Sequence, residues 1–412
     1  MPGKRRKLIL GTLGAAGLLS AGAAWRYWPE HGVANPCRGE MPDHLARHEL
    51  VAQAWAGVDP ASQWDCHAHL VGTGDSGSGI RLNPQMESPR YPLQYAQRLF
   101  YLNAGCAGDS PQRVDVAYVE RLLALMEGMR PGAKLMLMAF DHFHTDDGAP
   151  APAQSAFHVP NDYPMAVARR HPRQFEWTAS IHPYRRDAVE ALRAAAANGA
   201  RAVKWLPAAM NIDPASPRCD PFYAALKALD LPLITHGGME RAVHVGDRQR
   251  LNNPLALRRP LEHGVRVVVA HCATVGMDHD TDRGANGPMV ESFELFTRLM
   301  GGARYGKTLH GEISAVTQQN RAGPALVRLI EREDWHPRLL NGSDYPLPGV
   351  MPLFSMSQLA GLGILDPAAA PVLAAIREHN ALLFDFVLKR HLKSGGKRFS
   401  AGVFETRPFF DR

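Results

Sequence analysis

The chain has 412 residues, of which 45% are hydrophobic and 21% charged. That is enough apolar material for a large folded core, and it excludes an intrinsically disordered chain. Net charge is +6, but four of the positive charges are Lys4, Arg5, Arg6 and Lys7. The remainder is near neutral, with basic residues scattered and without aromatic interleaving, which argues against nucleic acid as a partner.

Residues 1–28 read as a signal peptide or N-terminal membrane anchor. A basic cluster, KRRK, precedes the uncharged stretch 8–24, and Ala21-Gly22-Ala23 has the small residues of a cleavage site. Arg5-Arg6 loosely resembles a twin-arginine export signal, and Trp25, Tyr27 and Trp28 follow as an interfacial belt would. The expectation is therefore export to the periplasm, or a membrane tether through this segment. Five cysteines is an odd number. Cys66 and Cys272 fall in apparent core strands. Cys37, Cys106 and Cys219 lie in loop-like sequence, where two of the three would pair if the body is exported.

Residues 29–60 read as a linker and lead-in, 61–393 as the catalytic body and 394–412 as a tail. Eight short apolar runs are predicted as strands: 63–67, 134–141, 175–182, 200–206, 231–236, 265–271, 308–313 and 338–341. Helical periodicity is predicted over 115–128, 187–197, 221–229, 255–263, 290–300 and 324–332, with a closing helix over 370–393. Eight near-continuously apolar strands alternating with helices predict an α/β fold, a (β/α)8 TIM barrel. No glycine-rich dinucleotide loop follows the first strand, which weighs against an open doubly wound sheet. Two stretches, 72–113 and 145–161, are too long for ordinary connections. Both leave the carboxyl ends of strands, where barrels carry their active-site loops, so both are candidate lids or substrate walls.

Polar residues stand at the ends of these apolar strands. His67 and His69, two apart on the first strand, share a face. His236 ends the run LPLITH just before two glycines, His271 ends the run VRVVVAH, Asp344 follows NGS, and Lys204 sits inside VKW. Isolated buried polar groups of this kind would be costly, so a shared metal is the economical explanation. Imidazole with carboxylate suits zinc, manganese or iron. Such an ion acidifies water and leaves the carboxylate to carry the proton.

The ordered set DCHAH, VKWLP, THGG, AHC and NGSDYP resembles the amidohydrolase superfamily, in particular its amidohydrolase-related (family 2) branch. That branch includes enzymes similar to aminocarboxymuconate-semialdehyde decarboxylase. The resemblance spans roughly residues 61–390. It implies a metal-dependent hydrolase acting on an amide, ester or lactone of a small molecule, with a divalent metal, zinc first, in one or two copies. It implies His67, His69, His236 and Asp344 as ligands and Asp344 as the proton shuttle. His271 would be a catalytic base, or a ligand if the site is binuclear. Lys204 would then be a carboxylated bridge between the metals. His182, Arg185 and Glu312 are further candidates, for substrate contact. The alternatives are a non-oxidative decarboxylase of an aromatic or unsaturated acid on the same site, and a barrel that binds without catalysis.

Overall fold

The computed structural model describes residues 30–108 and 112–411; the predicted leader lies outside the described residues. Eight parallel strands form the predicted barrel: β1 Trp64–His69, β2 Lys134–Met138, β3 Phe175–Thr178, β4 Val203–Trp205, β5 Leu233–His236, β6 Val267–Ala270, β7 Leu309–Glu312 and β8 Leu339–Leu340. Two parallel sheets, β1–β2–β3 and β4–β5–β6–β7–β8, are joined by bridges Ala179–Val203 and Ala68–Tyr345. The seam beside β8 is also tied by Cys66 N–H donating to Asn341 O at 3.1 Å.

All eight predicted strands are present; seven are shorter than predicted, while the first starts one residue later and runs two further, to His69. The carboxyl-terminal ends, where regular pairing stops, are where the backbone turns to present polar side chains. Strand β1 carries an irregularity that matters for the site. Between Asp65 and Ala68 its pairing runs one residue longer than the facing Leu135–Leu137 of β2, which is a bulge. Strict alternation would put His67 opposite to Cys66. The bulge lets Cys66 join the barrel interior with Met136, Ile234 and Val268, while His67 also faces inward one step higher and Ala68 packs outside.

Several helices differ from expectation. The closing helix is two, Ala370–His379 and Ala381–His391, because Asn380 leaves the helical region and its Oδ1 caps the amides of Leu382 and Leu383. The stretch 255–263 begins as 3₁₀ turn, Pro254–Leu257, before the helix Arg258–Glu262. Helices Pro92–Ala104 and Asp162–Arg170 were missed; the first lies inside a stretch read as loop. Residues 43–58 are no free linker: Trp55 is buried, with its ring 4.3 Å from that of Phe386. Cys37 and Cys106 form a disulfide that ties this segment to the chain just past helix Pro92–Ala104, while Cys219 is buried and free. No helix among the described residues is long and apolar enough to cross a membrane.

The tail closes the amino-terminal end of the barrel. Phe410 is fully buried among Trp64, Met136 and Leu340, and Phe409 lies 4.5 Å from the ring of His310 on β7. His310 is buried, with Nδ1 lacking a partner among the described residues. Burial, only partly offset by a backbone hydrogen bond, pulls its pKa from 6.5 to about 4. The unfolded chain therefore takes up this proton first as pH falls. The stability contribution is intact above about pH 6.5 and is lost on the way down to 4, on the order of 3 kcal/mol at most. Denaturant titrations between pH 7 and 4 should show a steeper loss of stability for the native chain than for His310→Gln. Parallel profiles would remove His310 as a contributor.

Candidate metal centre and active site

Four imidazoles, with the carboxylates of Asp344 and Glu312, meet at the carboxyl-terminal mouth of the barrel. His67 Nε2 lies 3.1 Å from His69 Nε2, and the two approach Asp344 Oδ1 at 3.4 and 3.3 Å. Lys204, wholly inside the barrel on β4, brings Nζ to 3.0 Å from His67 Nε2. His271 Nε2 stands 3.8 Å from Asp344 Oδ2. The ring of His236 is 5.1 Å from that of His271.

Hydrogen bonds assign the protons on these rings. His67 Nδ1 faces the carboxylate of Glu312 at 3.0 Å, and His236 Nδ1 faces Glu240 at 3.2 Å. His271 Nδ1 faces the carbonyl of Ser314 at 3.1 Å. Carboxylate and carbonyl oxygens only accept, so each Nδ1 carries the hydrogen and each Nε2 keeps its lone pair. The Nε2 of His236 is buried without a partner among the described residues. These are the features of imidazoles prepared to ligate a cation, each with its second nitrogen held by an acceptor.

His67, His69 and Asp344 have ligand atoms within 4.8 Å of one another, and so do His67, His271 and Glu312. The second group is a hydrogen-bond cluster rather than a ligand set. Glu312 Oε1 accepts from His67 Nδ1, from His271 N at 2.9 Å and from Ser314 Oγ at 2.7 Å, and its Oε2 accepts from Ser314 N at 2.7 Å. Its Oε1 is saturated and its Oε2 is tied to the Ser314 amide. His236 stands outside both groups, although it lines the same cavity.

The backbone is shaped to hold these positions. His271, Cys272 and Ala273 take φ of 55°, 49° and 50°, and Asp344 takes 60°. Four non-glycine residues in the left-handed region store strain of about 1–3 kcal/mol each, a feature that clusters at functional sites. Asp65, outside the barrel wall, braces two segments at once by accepting from His67 N at 3.1 Å and Ser343 N at 2.8 Å. Gly342 has no room for a side chain: a Cβ there would stand 2.6 Å from His67 Cβ.

The electrostatics match a site for positive charge. Burial alone would raise the Asp344 carboxyl, but His67, His69 and His271 outweigh it and hold it well below its ordinary value. Glu312 is likewise raised by burial and lowered further by His67, His271 and Lys204, with a net fall. Burial lowers His236 to about 4, against the pull of Glu240. Burial and then Arg321 keep His271 well below the ordinary histidine value. Burial lowers Lys204 also, against Glu312 and Asp344.

A cavity of about 320 Å³ opens over these groups. Both long loops wall it, through Ile80, Leu82, Met86, Phe100 and Phe157. They meet in an antiparallel pair, Arg81–Leu82 with Phe157–His158. The first loop is anchored by Asp115, whose carboxylate takes the amides of Thr73 and Gly74 and the hydroxyls of Ser76 and Ser78.

Three expected substrate residues lie elsewhere. Glu312 is sealed beneath His67, as above. His182 is fully buried, bonded to Met210 O at 2.9 Å and to Tyr184 N at 3.1 Å, and does not line the cavity. Arg185 spends its guanidinium on Asp187 and Asp141. Both follow a strand end, but their polar atoms are taken up by neighbouring chain rather than by the cavity. Ser314 and Arg321 went unseen. Ser314, two residues beyond Glu312 in GEIS, repeats the spacing of the β1 pair and was the available signal; Arg321 had none.

A model of the amidohydrolase family matches residues 64–384, most of the chain. The chain belongs to the amidohydrolase family. It is thus a metal-dependent enzyme of the amidohydrolase superfamily, and a divalent metal is its cofactor. No curated protein matches it. Among solved structures it is similar to an uncharacterized TIM-barrel protein from Bordetella bronchiseptica, with 16% identity, TM-score 0.44, and 76% of this chain and 98% of that one covered. A probable 2-pyrone-4,6-dicarboxylic acid hydrolase from Acinetobacter baumannii has 16% identity and TM-score 0.40, covering 69% of this chain and 84% of that one. For 5-carboxyvanillate decarboxylase from Sphingomonas paucimobilis the figures are 14%, 0.42, 77% and 97%.

Glu312→Gln replaces an acceptor by an amide and removes the hold on the His67 tautomer. Metal affinity should fall about 10–100-fold in competition with a chromogenic chelator, with secondary structure retained. Unchanged affinity would show that Glu312 does not govern ligation.

Proposed function

We propose that the enzyme hydrolyses an amide, ester or lactone bond in a small molecule, with His67, His69, His236 and Asp344 as the residues that would hold its metal, zinc in preference to manganese or iron. The observation that carries the reading is the set of Nε2 lone pairs, one of them orphaned, beside an ionised Asp344. A divalent cation at this place supplies an electrophile for the substrate carbonyl and makes a nearby water acidic. Imidazole and carboxylate donors would suit zinc. Lys204 stands where a second ion would be bridged, and its low basicity in this setting suits either a neutral amine or a carbamate.

Asp344 is positioned to take the proton of the attacking water and to return it to the leaving nitrogen or oxygen. His271, with Nδ1 fixed on Ser314 O, keeps Nε2 for a second proton-transfer or for the developing oxyanion once protonated. Both groups rest in their basic forms, which suits activation of water. A decarboxylase on the same residues would instead deliver a proton to carbon, from cation-acidified water or through Asp344 or His271.

The purified protein should contain near-stoichiometric divalent metal and cleave members of a panel of amides, esters and lactones. Asp344→Asn should lower kcat/KM by about 10³-fold or more. Release of CO2 from aromatic acids, with the panel untouched, would replace hydrolysis by decarboxylation.

We also infer that residues 1–28 direct the chain out of the cytoplasm, to the periplasm or to a membrane tether. The Cys37–Cys106 disulfide supports this, since such bonds persist in oxidising compartments. Cell fractionation should recover the native chain outside the cytoplasm, and Arg5→Lys with Arg6→Lys should hold it back. A fully cytoplasmic native chain would sink the inference.

A further inference from the structure

The chemistry above leaves one wall of the cavity unexplained. The loop after β7 places Gln318 and Arg321 there, beside the segment that follows His271. Arg321 is 9% exposed and Gln318 4%. The guanidinium donates from Nη1 to Thr274 Oγ1 at 3.3 Å, a long bond to a neutral hydroxyl. Arg321 Nε and Gln318 Nε2 are both buried without partners among the described residues.

Glu240 does not fill this role. Its Oε1 accepts from the amides of Ala242 and Val243, at 2.5 and 3.3 Å, and its Oε2 faces His236 Nδ1. A buried guanidinium with no ion pair among the described residues is costly, and two orphaned donors on the wall of an open cavity call for an acceptor from outside. Arg98 also lines the cavity with an unpartnered Nε, but it is less buried and sits on helix Pro92–Ala104. Its desolvation is weaker, so its demand for an anion is weaker too.

The rest of the cavity lining is mostly apolar, from Leu70 and Ile80 to Val350 and Leu353. Such a volume admits a hydrophobic body, with few places for further polar groups. Two buried carboxylates, Asp344 and Glu240, share the cavity with Arg321 and disfavour a dianion such as phosphate. A single carboxylate fits the one guanidinium and the one amide.

We propose that Arg321 and Gln318 receive the carboxylate of the substrate, so that the enzyme acts on apolar monocarboxylic acids bearing the scissile amide, ester or lactone. The reaction type rests on the reading above; the carboxylate site does not. Arg321 sets which molecules enter, through a bidentate guanidinium–carboxylate pair of the kind that gives both energy and orientation.

The test is calorimetric titration of the metal-loaded full chain with 4-phenylbutyrate and with its neutral isostere 4-phenylbutanamide. The acid should bind about tenfold tighter or more, and Arg321→Gln should reduce that preference to about twofold or less at unchanged metal content. Arg321→Lys should keep part of it. If Arg321→Gln does not fold, Gln318→Leu provides the second readout, with a smaller loss of preference. Absence of any preference for the acid in the native chain overturns the proposal. So does a preference that survives Arg321→Gln, because the carboxylate would then sit on the cation or on Arg98. Binding is read without turnover, so failure to hydrolyse any amide, ester or lactone would count against the proposed reaction and leave this result standing.

Discussion

The site depends on the buried carboxylate of Glu312. It is fully enclosed and accepts from three strands' worth of groups: His67 Nδ1 on β1, the backbone of His271 after β6, and Ser314 after its own strand. An isolated carboxylate there would be strongly disfavoured, and burial does push its pKa upward. Four donors and two neighbouring imidazoles reverse that push. In return the carboxylate fixes the His67 tautomer and pins the backbone amide at which β6 enters its left-handed turn. One residue thus sets both the chemistry of a ligand and the shape of the segment that carries His271.

The barrel supplies these groups through departures from regularity. The bulge in β1 turns both His67 and His69 inward above an apolar interior. The left-handed residues after β6 and at Asp344 aim side chains that an extended strand would send elsewhere. Closed parallel pairing around the ring is what over-determines such strained backbone and keeps it in place. Below, the interior is filled by Trp64, Met136, Ile234 and Phe410, so the mouth is the only polar layer that opens to a cavity in this part of the described structure.

Much of this was legible in the sequence, for a physical reason. Parallel strands buried on both faces need unbroken apolar runs, and a histidine or aspartate ending such a run has nowhere to go except the rim. That logic finds β1 to β8 and brings His67, His69, Lys204, His236, His271 and Asp344 around one cavity. It fails where direction depends on the turn beyond the strand. His182 and Arg185 also follow a strand, but their polar atoms are satisfied by Met210, Tyr184, Asp141 and Asp187. The break at Asn380 escaped because asparagine interrupts a helix only when its side chain is free to cap the next one.

Glu312 illustrates the deeper limit. A carboxylate ending a strand is equally consistent with touching substrate, ligating metal or holding a ligand, and only the disposition of its acceptor sites separates these. Here the separation is complete, since every oxygen is engaged from behind. Glu240 plays the matching part behind His236, and Ser314 O behind His271. Each imidazole is therefore backed by an acceptor that sends its proton away from the cavity. Ligand identity is written along the strands, where periodicity exposes it. Ligand protonation is written in residues from other loops and strands, brought into contact only by closure of the ring, and it is this second set that turns the Nε2 lone pairs of His67, His236 and His271 toward the cavity.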